Sequence, residues 1–177
     1  MKNKIGILCA SNTELAPFLP HILDCKTTEK AMLTFYEGRC GLPAVVLYSG
    51  VVCKVNAAIA AQLLIDRFHV TAIINAGTAG GMDPLAALFD TVVTTQTAYH
   101  DMTDDILTEF HPWLPDIYFR SDAALLSAAK RAAEKRQQKN HCIYAVKAFT
   151  MVFFMDTAHF SYNMAAGSLP LLFCKIL

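Results

Sequence analysis

The chain reads as an α/β protein in which helices are layered on a β-sheet. Three observations predict this. A short apolar run, "KIGILCA" at 4–10, has the form of a strand buried on both faces. An Ala-, Leu- and Ile-rich helix over 54–68 keeps a broad apolar face and leads directly to a second apolar run at Ala72–Asn75. A further run at Thr91–Gln96 follows a glycine turn. Strand, helix and strand in that order is the signature of a layered sheet.

The remaining elements follow from local chemistry. After the first strand, "SNTELAPFLPHIL" carries Ser11 and Glu14 at capping-box spacing, so a helix starts there. Pro17 keeps that helix short or bends it. "AMLTFYEGRCGLPAVVLYSG" predicts two strands, Met32–Tyr36 and Ala44–Tyr48, around a Gly-rich turn. From Ala98 to Arg120, acidic residues, two prolines and the only tryptophan predict a long surface loop. Asp122 caps an Ala-rich helix that ends near Lys139. A strand-like aromatic run, "CIYAVKAFTMVFF", a small-residue helix around Thr157–Ala166 and a last strand, "LPLLFCKIL", complete the chain.

Composition narrows the function. The 177 residues correspond to one domain, 1–177, long enough to bury a core without disulfides or metal. Fifteen Lys and Arg balance fifteen Asp and Glu, so no net field favours nucleic acid or an anionic membrane surface. The expected partner is a small molecule or a protein. The six cysteines, Cys9, Cys25, Cys40, Cys53, Cys142 and Cys174, form no CxxC pair and no regular spacing. Reduced thiols in a cytoplasmic protein are expected rather than a zinc site or a disulfide framework. The N-terminal apolar run is too short for a signal peptide, and Lys147 and Asp156 interrupt the apolar C-terminal third.

The glycine turn "NAGTAGG" at 75–81 has several possible uses. A Walker loop needs Gly-Lys-Ser/Thr, which is missing. A dinucleotide fingerprint needs GxGxxG, whereas Gly77, Gly80 and Gly81 are spaced GxxGG. A tight turn that only requires small residues remains open. So does a ribose-side turn, because "NAGTAGG" resembles that feature of the nucleoside phosphorylase superfamily, and within it of the 5'-methylthioadenosine/S-adenosylhomocysteine nucleosidases. Three further stretches match in order: "KIGILCASNTEL", "SGVVCKVNAA" with one extra residue, and "FDTVVTTQTAYHD". "VKAFT" at 146–150 and "MDTA" at 155–158 resemble the family's adenine-stacking and ribose-clamping segments, with a shorter connection between them. Pro170 and Lys175 stand where the family has a proline and an arginine.

The resemblance implies a three-layer fold with a central mixed sheet flanked by helices, lacking its C-terminal part. It implies hydrolysis of the adenine–ribose N-glycosidic bond with no metal or organic cofactor. Glu14 would position and deprotonate the water. Thr78, Ala79 and Gly80 would line the ribose and base, Phe149 would pack on adenine, Met155 would lie against the ribose, and Asp156 would hold its hydroxyls. The aspartate that serves the family as the acid for N7 of adenine falls beyond Leu177, so full activity is doubtful for the chain as it stands. The implied assembly is a homodimer in which the loop around His111–Pro115 closes the partner's alkylthio pocket, with Trp113 as an anchor.

Bland readings compete with these. Glu14 could be a capping-box residue only, Asp156 a helix cap, Phe149 plain core, and Tyr99-His100-Asp101 a loop anchor. Two other functions also remain open. A purine nucleoside phosphorylase would need a cationic phosphate site, with Arg39 and Lys54 as the basic candidates. An inactive truncated homologue would bind nucleoside or pair with an intact subunit.

Overall fold

The computed structural model describes residues 4–31, 33–41, 44–48, 53–79, 91–99, 104–136, 143–150 and 171–173. A six-stranded mixed sheet runs in the order β2-β3-β4-β1-β5-β9. Its centre is parallel: β1 (Lys4–Leu8) lies between β4 (Ala44–Tyr48) and β5 (Ala72–Ala76). Towards one edge, β3 (Leu33–Arg39) pairs antiparallel with β4 and then with β2 (Leu23–Lys30). At the other edge, β9 (Leu171–Phe173) pairs antiparallel with β5. A second sheet has β6 (Thr91–Tyr99) between β7 (Phe119–Arg120) and β8 (Ile143–Thr150). β9 also lies beside β6, so the two sheets meet there.

The expected double burial of β1 is observed, and strand alternation explains it. Leu8 joins Phe35, Ala60, Ala61, Leu64, Phe68, Val70 and Ile73 in one core under α2 (Lys54–Asp66). Ile7 and Cys9 point the opposite way, into a second core with Leu15, Ile22 and Ala76. α1 (Asn12–Leu15) and the 3-10 turn at Leu19–His21 cover that face. The layers are therefore helix, sheet and helix. Phe35 and Phe68 stack with ring centroids 4.7 Å apart and anchor the first core.

Two expectations need correction. No strand is expected over Leu23–Lys30, yet it forms β2. Its charged, mostly exposed sequence has no apolar alternation and suits an edge strand that must not recruit another chain. β2 enters through a bulge between Leu23 and Lys26, with Asp24 at a φ of 56°. Gly38 makes room for it: a Cβ there would lie 2.3 Å from Ile22 Cγ2 and 2.6 Å from the Leu23 carbonyl oxygen.

The predicted loop from Ala98 to Arg120 is the second correction. β6 continues to Tyr99, and the segment contains α3 (Asp104–Phe110) and β7. Leu107 buries itself and holds α3 in place. Downstream, the predicted cap of α4 (Ala123–Arg136) is present: Asp122 Oδ1 accepts from the amides of Ala124 and Leu125, both at 3.1 Å. The helix predicted around Thr157–Ala166 lies outside the described residues.

Candidate functional site

β1 and β5 are parallel neighbours, with Leu8 in register with Asn75. The segments that leave their carboxyl ends therefore emerge side by side, where open α/β sheets place their ligands. From β1 the chain passes through Ala10 and Ser11 into α1. From β5 it passes into Gly77, Thr78 and Ala79.

Glu14 joins the two. Its Oε2 accepts from the Ala10 amide at 2.9 Å and the Ser11 amide at 3.1 Å. Ser11 Oγ in turn accepts from the Glu14 amide at 3.4 Å, so the capping box is complete. The other oxygen, Oε1, accepts from the Thr78 amide at 2.7 Å and from Thr78 Oγ1 at 2.8 Å. Capping and site-building are thus properties of one side chain. A carboxylate offers about four acceptor sites, and these four donors match them. A water drawn to Glu14 must therefore replace a donor, and the Thr78 hydroxyl is the one that can leave by rotating its own side chain.

Beneath the carboxylate lies Cys9, fully buried. Burial pushes its thiol up to about 12, and the neighbouring Glu14 charge adds to the shift, so it stays protonated at neutral pH. Cys9 is thus a buried core residue rather than a nucleophile.

Thr78 and Ala79 are both exposed at the mouth of the site. Phe149 is in β8, in register with Ala98 of β6. Gly80, Met155 and Asp156 lie outside the described residues. The structure therefore brings Glu14 and Thr78 into direct contact and leaves the meeting of the other predicted residues undescribed. Tyr99 closes β6 with its ring edge-on to Phe119 at 5.8 Å, and Lys54 Nζ stands 5.0 Å from its centroid. Arg39, the other basic candidate, pairs with Asp24 at the sheet edge, where both are exposed. For the glycine turn at 75–81, the resemblance implies a ribose-side role, with Gly80 lining the ribose and base. In the structure the space over Gly77 is instead occupied by the Glu14 carboxylate, a contact that local sequence does not signal.

A mixed sheet with parallel β1 and β5 as neighbours and helices on both faces is the nucleoside phosphorylase-like fold. The chain belongs to the phosphorylase superfamily, whose family model matches residues 4–167. It is similar to the 5'-methylthioadenosine/S-adenosylhomocysteine nucleosidase of Colwellia psychrerythraea, with 36% identity over 141 residues, covering 76% of this chain and 56% of that protein. The enzyme of the same name from Exiguobacterium sp. is 35% identical over 143 residues, covering 77% and 60%. The chain thus spans between half and two thirds of the length of these curated relatives. Among solved structures, the Colwellia psychrerythraea nucleosidase in complex with adenine superposes with a TM-score of 0.74 at 32% identity, covering 97% of this chain and 74% of that one.

Proposed function

We propose that the chain hydrolyses the adenine–ribose N-glycosidic bond of 5'-methylthioadenosine and S-adenosylhomocysteine. One observation carries the reading: the Glu14 carboxylate is clasped to the Thr78 turn at the ends of two parallel strands, in a chain similar to nucleosidases over three quarters of its length. In the reaction, water attacks C1′ of the ribose as the C1′–N9 bond breaks. Glu14 takes the water proton, the bond pair passes to the purine, and a ring nitrogen takes a proton from solvent as adenine leaves, Glu14 returning its own proton to solvent. Thr78, Ala79 and Gly80 line the ribose and base. Phe149 packs on the adenine, Met155 lies against the ribose, and Asp156 holds the ribose hydroxyls. The reaction as written calls for no metal or organic cofactor.

The experiment is direct. Purified protein incubated with 5'-methylthioadenosine is expected to release free adenine without added phosphate. A folded protein, verified by circular dichroism, that yields no adenine at high concentration would overturn the reading. Release only in the presence of phosphate would instead make the chain a phosphorylase.

The same reading makes the working form a cytoplasmic homodimer. Several large apolar side chains stand exposed outside the cores, among them Val55 and Ile59 on α2, Ile106 and Phe110 on α3, and Trp113 beyond it. Trp113 is 73% exposed and Phe110 68%, which suits anchors awaiting a partner surface. The segment His111–Pro115 would then close the neighbouring copy's alkylthio pocket. Sedimentation velocity is expected to give a dimer for the native chain and a monomer for Phe110→Asp combined with Trp113→Asp. A native chain that sediments as a monomer at tens of micromolar would rule the dimer out. Among the described residues, no helix is long and apolar enough to cross a membrane.

A further inference from the structure

We infer that Gly77 is a positioning residue, whose missing side chain is the space that seats the Glu14 carboxylate. The inference deepens the nucleosidase reading and rests on it for its catalytic consequence. A Cβ built on Gly77 would lie 2.8 Å from Glu14 Oε1, 2.9 Å from Cδ and 3.0 Å from Oε2. The carboxylate therefore lies across the glycine, with Oε1 and Cδ closer than real Cβ contacts come and Oε2 at the limit. Backbone conformation gives no other reason for glycine here, since Gly77 is outside the left-handed region, which is where a side chain would be strained. Alanine at 77 is thus acceptable to the backbone, and the Glu14 head group, the far end of a flexible side chain, must shift to admit it.

The consequence follows from the neighbouring bonds. Thr78 is the next residue, and its amide and hydroxyl hold Oε1 at 2.7 and 2.8 Å. A carboxylate pushed away from residue 77 loses both of these while the Ala10 and Ser11 amides still hold Oε2. It ends in the wrong place for a water under C1′. Displacements of about 1 Å at a reacting group cost on the order of 10²-fold in rate.

Gly77→Ala is therefore expected to fold, to lower kcat by about 10²-fold with KM little changed, and to lower Tm by about 2–4 °C. The decisive measurement is a double-mutant cycle with Glu14→Ala, read by thermal unfolding as well as by rate. Once the carboxylate is gone, Gly77→Ala is expected to cause no further fall in Tm. If Glu14→Ala does not fold, Glu14→Asp replaces it, because its shorter side chain withdraws the carboxylate from residue 77. An equal Tm loss in both backgrounds, or no loss of Tm and rate in either, would overturn the inference. The Tm cycle is independent of adenine release, so an inactive native chain would count against the nucleosidase reading and leave the positioning test intact.

Discussion

Glu14→Gln is expected to lower adenine release by about 10²–10⁴-fold, the usual contribution of a positioned proton acceptor. The amide cannot take a proton from water, so the loss appears in kcat. The substitution also disturbs the turn. A glutamine carries two donors on one side of its head group, and both sides of the Glu14 head group face N–H or O–H donors. The NH2 must therefore oppose either the Ala10 and Ser11 amides or the Thr78 amide, the Thr78 hydroxyl being free to turn and accept. Unmet donors cost about 1–3 kcal/mol when buried, and a half-buried site falls at the low end, about 1 kcal/mol. Steady-state rates and urea unfolding of the same variant measure the two effects separately. Native rates with native stability would remove Glu14 from the mechanism and from the framework of the turn together.

A stabilising substitution is expected at the start of α2. Cys53 immediately precedes the helix with φ 87° and ψ 146°, and its side chain makes no capping hydrogen bond. That backbone region is close to glycine-only and costs a residue with a side chain about 1–3 kcal/mol. Its location agrees with the sequence, since "SGVVCKVNAA" resembles the family stretch with one residue too many. Cys53→Gly relieves the strain but adds freedom to the unfolded chain, which returns about 0.5–1 kcal/mol. The net gain is expected to be about 1 kcal/mol, or roughly 2–4 °C in Tm for a chain of this size. Calorimetry or urea unfolding would read it, and an unchanged or lowered Tm would show that the neighbouring segment, not Cys53, sets this conformation.

Elements whose determinants lie within a few residues of one another were legible beforehand. Ser11 and Glu14 are three positions apart and form the expected capping box. Asp122 caps α4 through amides two and three residues on. The α2 segment declares itself by composition over 13 residues. α3 (Asp104–Phe110) was not legible because among its described side chains only Leu107 is buried, while Ile106 and Phe110 are exposed. β2 was not legible either, because its hydrogen bonds to β3 come from the backbone while its side chains face solvent.

By itself, the sequence determined the layered α/β class, the superfamily and the elements around β1, α2 and β5, because apolar periodicity, caps and the glycine turn are local patterns. The tertiary structure decided what the glycine turn touches. Thr78 and Glu14 are 64 positions apart and meet because β1 and β5 pair in parallel, which sets their outgoing segments next to each other. No local pattern encodes that neighbourhood. Only there does Gly77 become the seat of a carboxylate rather than one more small residue in a turn.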